Sequence, residues 1–200
     1  MPRPRSFDEA QVLERAVELF RSRGFEGIRM PELVDSLGIC RQSLYNTFGD
    51  KRGLYLAALE RYGEREVDSK LELLESGDSP LESLRTVLRG WAALATQCPG
   101  QGCFTVVAIV ENSCDHEALE LVERQVQRLE AGFRGALERA RAAGELRPDA
   151  QPARLASALT STCYGLGLLA RLPGSGTRIG ESVSVMLGLL DDACTGNASA

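Results

Sequence analysis

The chain has no apolar run long enough to span a bilayer, and its opening MPRPRSFDEA contains no hydrophobic segment of the kind that directs export. Neither a membrane role nor secretion is expected, and the reading is a cytoplasmic protein. Histidine occurs once, at His116, which leaves little for general-base chemistry. Six cysteines stand at 40, 98, 103, 114, 163 and 194, with no C-x-x-C pair. In a chain without an export signal they are expected to be reduced. Cys98, Cys103, Cys114 and His116 fall within a short stretch, but their C-x4-C-x10-C-x-H spacing fits no zinc pattern. No metal and no cofactor is expected. Excess positive charge is absent as well: the net charge is −5, which argues against indiscriminate coating of nucleic acid.

The charge is unevenly placed. Residues 1–52 carry nine Arg or Lys against eight Asp or Glu, whereas the remainder carries fourteen against twenty. Only the N-terminal part tolerates a polyanion, and there the cations must share one surface. Within it, residues 29–54, RMPELVDSLGICRQSLYNTFGDKRGL, predict two short helices joined at Leu37-Gly38-Ile39. Gly38 supplies the positive φ that such a turn needs. In the second helix the spacing turns Leu44 and Phe48 toward the protein and leaves Arg41, Gln42, Ser43, Tyr45, Asn46 and Thr47 outward. One cation, amide and hydroxyl groups, and an aromatic ring on a short helix suit a DNA major groove better than bare solvent.

Elsewhere the periodicity predicts an all-α chain of about nine helices. Met1–Ser6 is a polar arm with Arg3 and Arg5, either disordered or lying on DNA when DNA is bound. Phe7-Asp8-Glu9 opens the first helix, whose stripe is Val12, Leu13, Ala16, Val17 and Phe20, and Gly24 ends it. Pro31 suits the first turn of the next helix. A long helix runs from Lys51 to about Leu74, and Ser79-Pro80-Leu81-Glu82 forms a capping box for the one that follows. Cys103–Ser113 is β-branched enough for a strand, yet it is taken as a buried helix because its neighbours are helical. Further helices follow over 119–140, 152–171 and 179–190. The domain division expected is a DNA-binding module at 1–50, a connecting helix at 51–75, a ligand-binding and dimerisation region at 76–194, and a disordered tail at 195–200.

Residues 7–62, FDEAQVLERAVELFRSRGFEGIRMPELVDSLGICRQSLYNTFGDKRGLYLAALERY, resemble the TetR family of bacterial transcriptional regulators. They share its helix, GF connector, helix-turn-helix, Y-x-x-F pair and following lysine. The resemblance implies a homodimer that sets Arg41–Phe48 in the major groove of a palindromic operator, with Tyr45 and Lys51 on phosphates. It also implies a C-terminal chamber for a small-molecule inducer and a dimer interface built from 152–171 and 179–192. Where relatives begin each motif helix with Ser or Thr, this chain has Arg29 and Cys40. Arg29 keeps a phosphate contact by charge but cannot cap, and Cys40 is a weak cap.

The candidate lining of that chamber is Trp91, Cys103, Phe104, Val107, Glu111, Phe133, Tyr164 and Leu168. Core packing is the competing account of each. Gly102-Cys103-Phe104-Thr105-Val106, with Glu111 and Cys114-Asp115 after it, resembles a segment of a TetR subgroup that includes electrophile- and hypochlorite-sensing repressors. In those the cysteine after glycine is the sensor, so Cys103 is either a redox sensor or a packed thiol. A cysteine-dependent enzyme is the remaining rival, and it lacks an acid–base partner near Cys103.

Overall fold

A computed structural model describes residues 7–97, 102–111 and 115–194, with the backbone alone at 94–97. The arm at 1–6, the tail at 195–200, Cys98 and Cys114 lie outside the described residues. The order of elements is α1 Glu9–Arg23, α2 Met30–Leu37, α3 Arg41–Phe48, α4 Lys51–Glu75, α5 Pro80–Gln97, α6 Phe104–Glu111, α7 His116–Ala142, α8 Pro152–Leu169 and α9 Gly176–Asp192. The pairing of Leu146 with Cys194 is an isolated bridge. The fold is all-α with nine helices among the described residues. No described helix is long and apolar enough to cross a membrane.

The chain forms two compact units, and their boundaries differ from the linear division 1–50, 51–75 and 76–194. The first unit is Met1–Arg65 with Phe104–Val122; the second is Glu66–Cys103 with Glu123–Ala200. The physical reason is α6, whose apolar side chains have their partners among α1 and α4. Phe104 lies 5.4 Å from Tyr55, 5.7 Å from Tyr62 and 6.5 Å from Phe20, ring centre to ring centre. Five consecutive residues, Phe104 to Ala108, are buried, which accounts for a helix that is apolar all round rather than on one stripe. Of the buried helix predicted over Cys103–Ser113, Ile109 and Val110 are exposed, and 112–113 lie outside the described residues.

In the first unit Asp8 caps α1, its carboxylate accepting from the Ala10 and Gln11 amides at 3.0 and 3.4 Å. Val12, Ala16, Val17 and Phe20 form the buried stripe of α1. Gly38 ends α2 in the left-handed conformation at φ 70°, and Arg15 donates to the free Leu37 carbonyl of the last turn at 3.2 Å. Asp50 accepts from the Gly53 amide at 2.7 Å and so starts α4.

In the second unit α5 packs along α9 and α8 around Leu84, Leu88, Phe133, Leu137, Val183 and Leu190. The expected capping box at α5 is only half made. Ser79 accepts from the Glu82 amide at 3.1 Å, but the Glu82 carboxylate turns away to Arg85 and Arg89. Glu145 supplies a different cap to the same helix start, accepting from the Ser79 hydroxyl and the Leu81 amide, each at 3.0 Å. α8 ends two residues before the predicted Arg171, and α9 starts at Gly176, three residues before the predicted 179.

Candidate nucleic-acid interface

α3 is held by one fully buried side chain, Leu44, while Phe48 is half-buried. The rest of the helix faces outward. Arg41, Gln42, Tyr45 and Asn46 are exposed, and Ser43 and Thr47 are half-buried. The exposed groups pair along the helix at the i, i+4 interval. Arg41 donates to the Tyr45 hydroxyl at 3.1 and 3.3 Å with its guanidinium 5.5 Å from the ring centre, and Gln42 donates to the Asn46 carbonyl oxygen at 2.8 Å. Such pairs hold extended rotamers in place, so less freedom is lost when a groove is entered. The Gln42 amide oxygen and the Asn46 amide nitrogen keep the donor–acceptor pattern that an adenine edge requires.

Neither motif helix has a side-chain cap: Arg29 makes none, as expected, and Cys40 does not make even the weak one expected of it. Arg29 and Cys40 are both exposed. The Cys40 sulfur lies 3.2 Å from the Ser43 hydroxyl, and hydrogen bonds from Ser43 draw the thiol below its ordinary range. Lys51, the first residue of α4, holds its ammonium 4.3 Å from the centre of the Phe25 ring. Behind it Arg52 grips Asp115 at 2.8 Å through two nitrogens and Glu117 at 2.8 Å. The Arg52 guanidinium holds the Asp115 carboxyl below its usual range.

The chamber residues named from sequence divide between the units. Phe104, Val107 and Glu111 belong to the first, where the two apolar side chains are buried and Glu111 accepts from the Phe25 amide. Trp91, Cys103, Phe133, Tyr164 and Leu168 belong to the second. There Phe133 is wholly enclosed, Trp91 is half-buried with the Lys70 ammonium 5.0 Å from its ring, and Leu168 is exposed. Cys103 is half-buried and its amide donates to the Gly167 carbonyl at 3.3 Å. The Arg171 side chain passes so close to Gly102 that an added Cβ would lie 2.4 Å from its Cγ. Arg171 stands 68 positions beyond Cys103, too far along the chain for spacing to name it. Burial pushes the neighbouring Cys163 thiol up to about 12 and the Tyr164 phenol upward as well. Among the described residues no three His, Cys, Asp or Glu side chains converge to hold a metal.

Residues 12–58 match the family described as bacterial regulatory proteins, tetR family, and residues 80–186 match the tetracyclin repressor-like C-terminal domain. The chain belongs to the TetR family. It is 36% identical over 194 residues to the HTH-type transcriptional regulator YezE of Bacillus subtilis, a match covering 96% of this chain and 100% of YezE. It is 33% identical over 120 residues to the transcriptional repressor BdcR of Escherichia coli, 60% of each chain. A CifR cysteine mutant solved on 26-bp operator DNA superposes with a TM-score of 0.80 at 29% identity, covering 93% of this chain and 98% of CifR. Reduced NemR of E. coli shares the fold at a TM-score of 0.82 and 23% identity, with 94% and 97% covered. This TetR-family protein is thus a DNA-binding transcriptional regulator, and its family is one of regulators, not of enzymes.

Proposed function

We propose that this regulator is a homodimeric, cytoplasmic repressor that reads a palindromic operator with α3 and leaves it when a small-molecule inducer binds the C-terminal region. The observation that carries the reading is the outward face of α3, where Arg41, Gln42, Tyr45 and Asn46 are exposed and mutually braced. Arg41, Gln42 and Asn46 are assigned to base edges. Arg29, Ser43, Tyr45, Thr47 and Lys51 are assigned to the backbone or groove walls. Two such helices one turn apart, about 34–36 Å, would occupy successive major grooves. Self-association is supported by the apolar residues that α8, α9 and the turn between them expose, Leu168, Leu172, Val185 and Leu189. Inducer releases DNA only through its differential affinity for the bound and free conformations. The expected outcome of Arg41→Ala is a loss of about 1–3 kcal/mol on the specific operator with nonspecific binding nearly spared, as read by titration on both duplexes. Equal loss on both would remove Arg41 from base reading.

A second reading makes Cys103 an oxidant or electrophile sensor, favoured by its half-exposure and by Arg171 beside Gly102. Oxidant-triggered DNA release that survives Cys103→Ser ends that reading.

A further inference from the structure

Glu111 ends α6, where a carboxylate faces the negative pole of its own helix and gains nothing from it. Its partner lies 86 residues earlier: it accepts from the Phe25 amide at 2.8 Å. That amide is available because Gly24 leaves α1 at φ 73°, ψ 174° rather than in the left-handed conformation that folds the next amide back on the helix. The carboxylate lies directly against the bare Cα, since a Cβ on Gly24 would come within 2.0 Å of the Glu111 oxygen. Gly24 is therefore required twice, for its φ and for this approach.

What the contact holds is the ring of Phe25. That ring packs edge-on against Tyr55 at 5.1 Å, lies 6.3 Å from Phe20, and carries the Lys51 ammonium on its face at 4.3 Å. The negative face of a ring attracts an ammonium and so favours one position for it. The three residues thus form a relay from the end of α6, through the α1–α2 connector, to the first residue of α4, all inside the first unit.

We propose that Glu111 is a positioning residue for DNA binding, fixing Phe25 so that its ring presents Lys51 to a backbone phosphate. The inference rests on the assignment of Lys51 to a phosphate. It carries an unusual sign. An acidic side chain in a DNA-binding unit ordinarily repels the polyanion, and its removal strengthens binding; here removal weakens binding.

The test is a fluorescence-anisotropy titration of the full-length protein on operator duplex across a salt series. Glu111→Ala is expected to weaken binding about 3- to 10-fold and to lower the salt slope by about one phosphate contact. Glu111→Gln keeps the acceptor and removes the charge, and it should stay within about twofold of the parent. Phe25→Leu keeps the apolar packing without the ring face, and it should reproduce the Glu111→Ala loss. Adding Glu111→Ala to Lys51→Ala should cost nothing further, because the two act on one contact. Unchanged or tighter binding by Glu111→Ala overturns the inference, as does an equal loss in the Lys51→Ala background. If Lys51→Ala itself leaves affinity and slope unchanged, the assignment of Lys51 to a phosphate fails, and the inference fails with it.

Discussion

The two units fill their cores with different side chains. The first is built around touching rings, Phe20, Phe25, Tyr55, Tyr62 and Phe104, whereas the second is filled mainly by leucine, valine and alanine around Phe133, its one fully buried ring among the described residues, with Trp91 and Tyr164 at the margin. Rings interlock at fixed edge and face angles, while aliphatic cores accept many volume-conserving repackings. A unit that must hold a short helix in one orientation against a groove benefits from the first arrangement. A region that admits the proposed inducer would benefit from the second. The difference places ring-on-ring packing in the first unit and mainly aliphatic packing in the second.

The largest effect expected to break or sharpen that comparison comes from truncating the central rings. Phe104→Ala and Phe133→Ala should each destabilise by about 3–5 kcal/mol, measured by urea denaturation. Their consequences for DNA should differ. Phe104→Ala should also weaken operator binding by the protein that remains folded, whereas Phe133→Ala should leave that binding intact. If Phe133→Ala proves as damaging to DNA binding as Phe104→Ala, the contrast between the units is lost.

How much was legible beforehand follows the same division. Gly38, the buried Leu44 and the outward set on α3 come from spacing within a few residues, so local sequence was sufficient to place them. The strand-or-helix ambiguity over Cys103–Ser113 was settled by partners that no local pattern names, because α6 is enclosed by α1 and α4. The same holds for Glu111 on Phe25, for Arg52 on Asp115 and Glu117, and for Glu145 on Ser79 and Leu81 at the start of α5. Each joins residues more than sixty positions apart. The candidate chamber residues share a chemistry that sequence displays, while their distribution between the two units depends on distant contacts.

A smaller effect concerns the helix starts. Asp8 caps α1 with its side chain, while Cys40 makes no such bond for α3. Cys40→Ser should stabilise the first unit by about 0.5–1 kcal/mol, read as a rise in the thermal midpoint, with operator binding retained. No rise would mean that the start of α3 is held by its surroundings and not by its cap.

The smallest effect is electrostatic. Arg52 holds the folded-state Asp115 carboxyl below its unfolded value. The pair therefore contributes stability that is fully present above the ordinary aspartate range and is lost as pH falls below about 4. Both partners are partly solvated, so the contribution is small and shrinks with salt. Asp115→Asn should flatten this part of the acid-unfolding curve, and a curve unchanged by the substitution would assign the acid sensitivity to other carboxylates.

The most direct measurement for the account as a whole is selection of binding sites from a random duplex pool, run in parallel with the parent protein and Arg41→Ala. The account expects the parent to enrich an inverted repeat with half-sites one helical turn apart, and Arg41→Ala to relax the base preference at one position of each half-site while keeping the spacing. Failure to enrich an inverted repeat, or an identical base preference from both proteins, would contradict the claim that the outward face of α3 reads the operator.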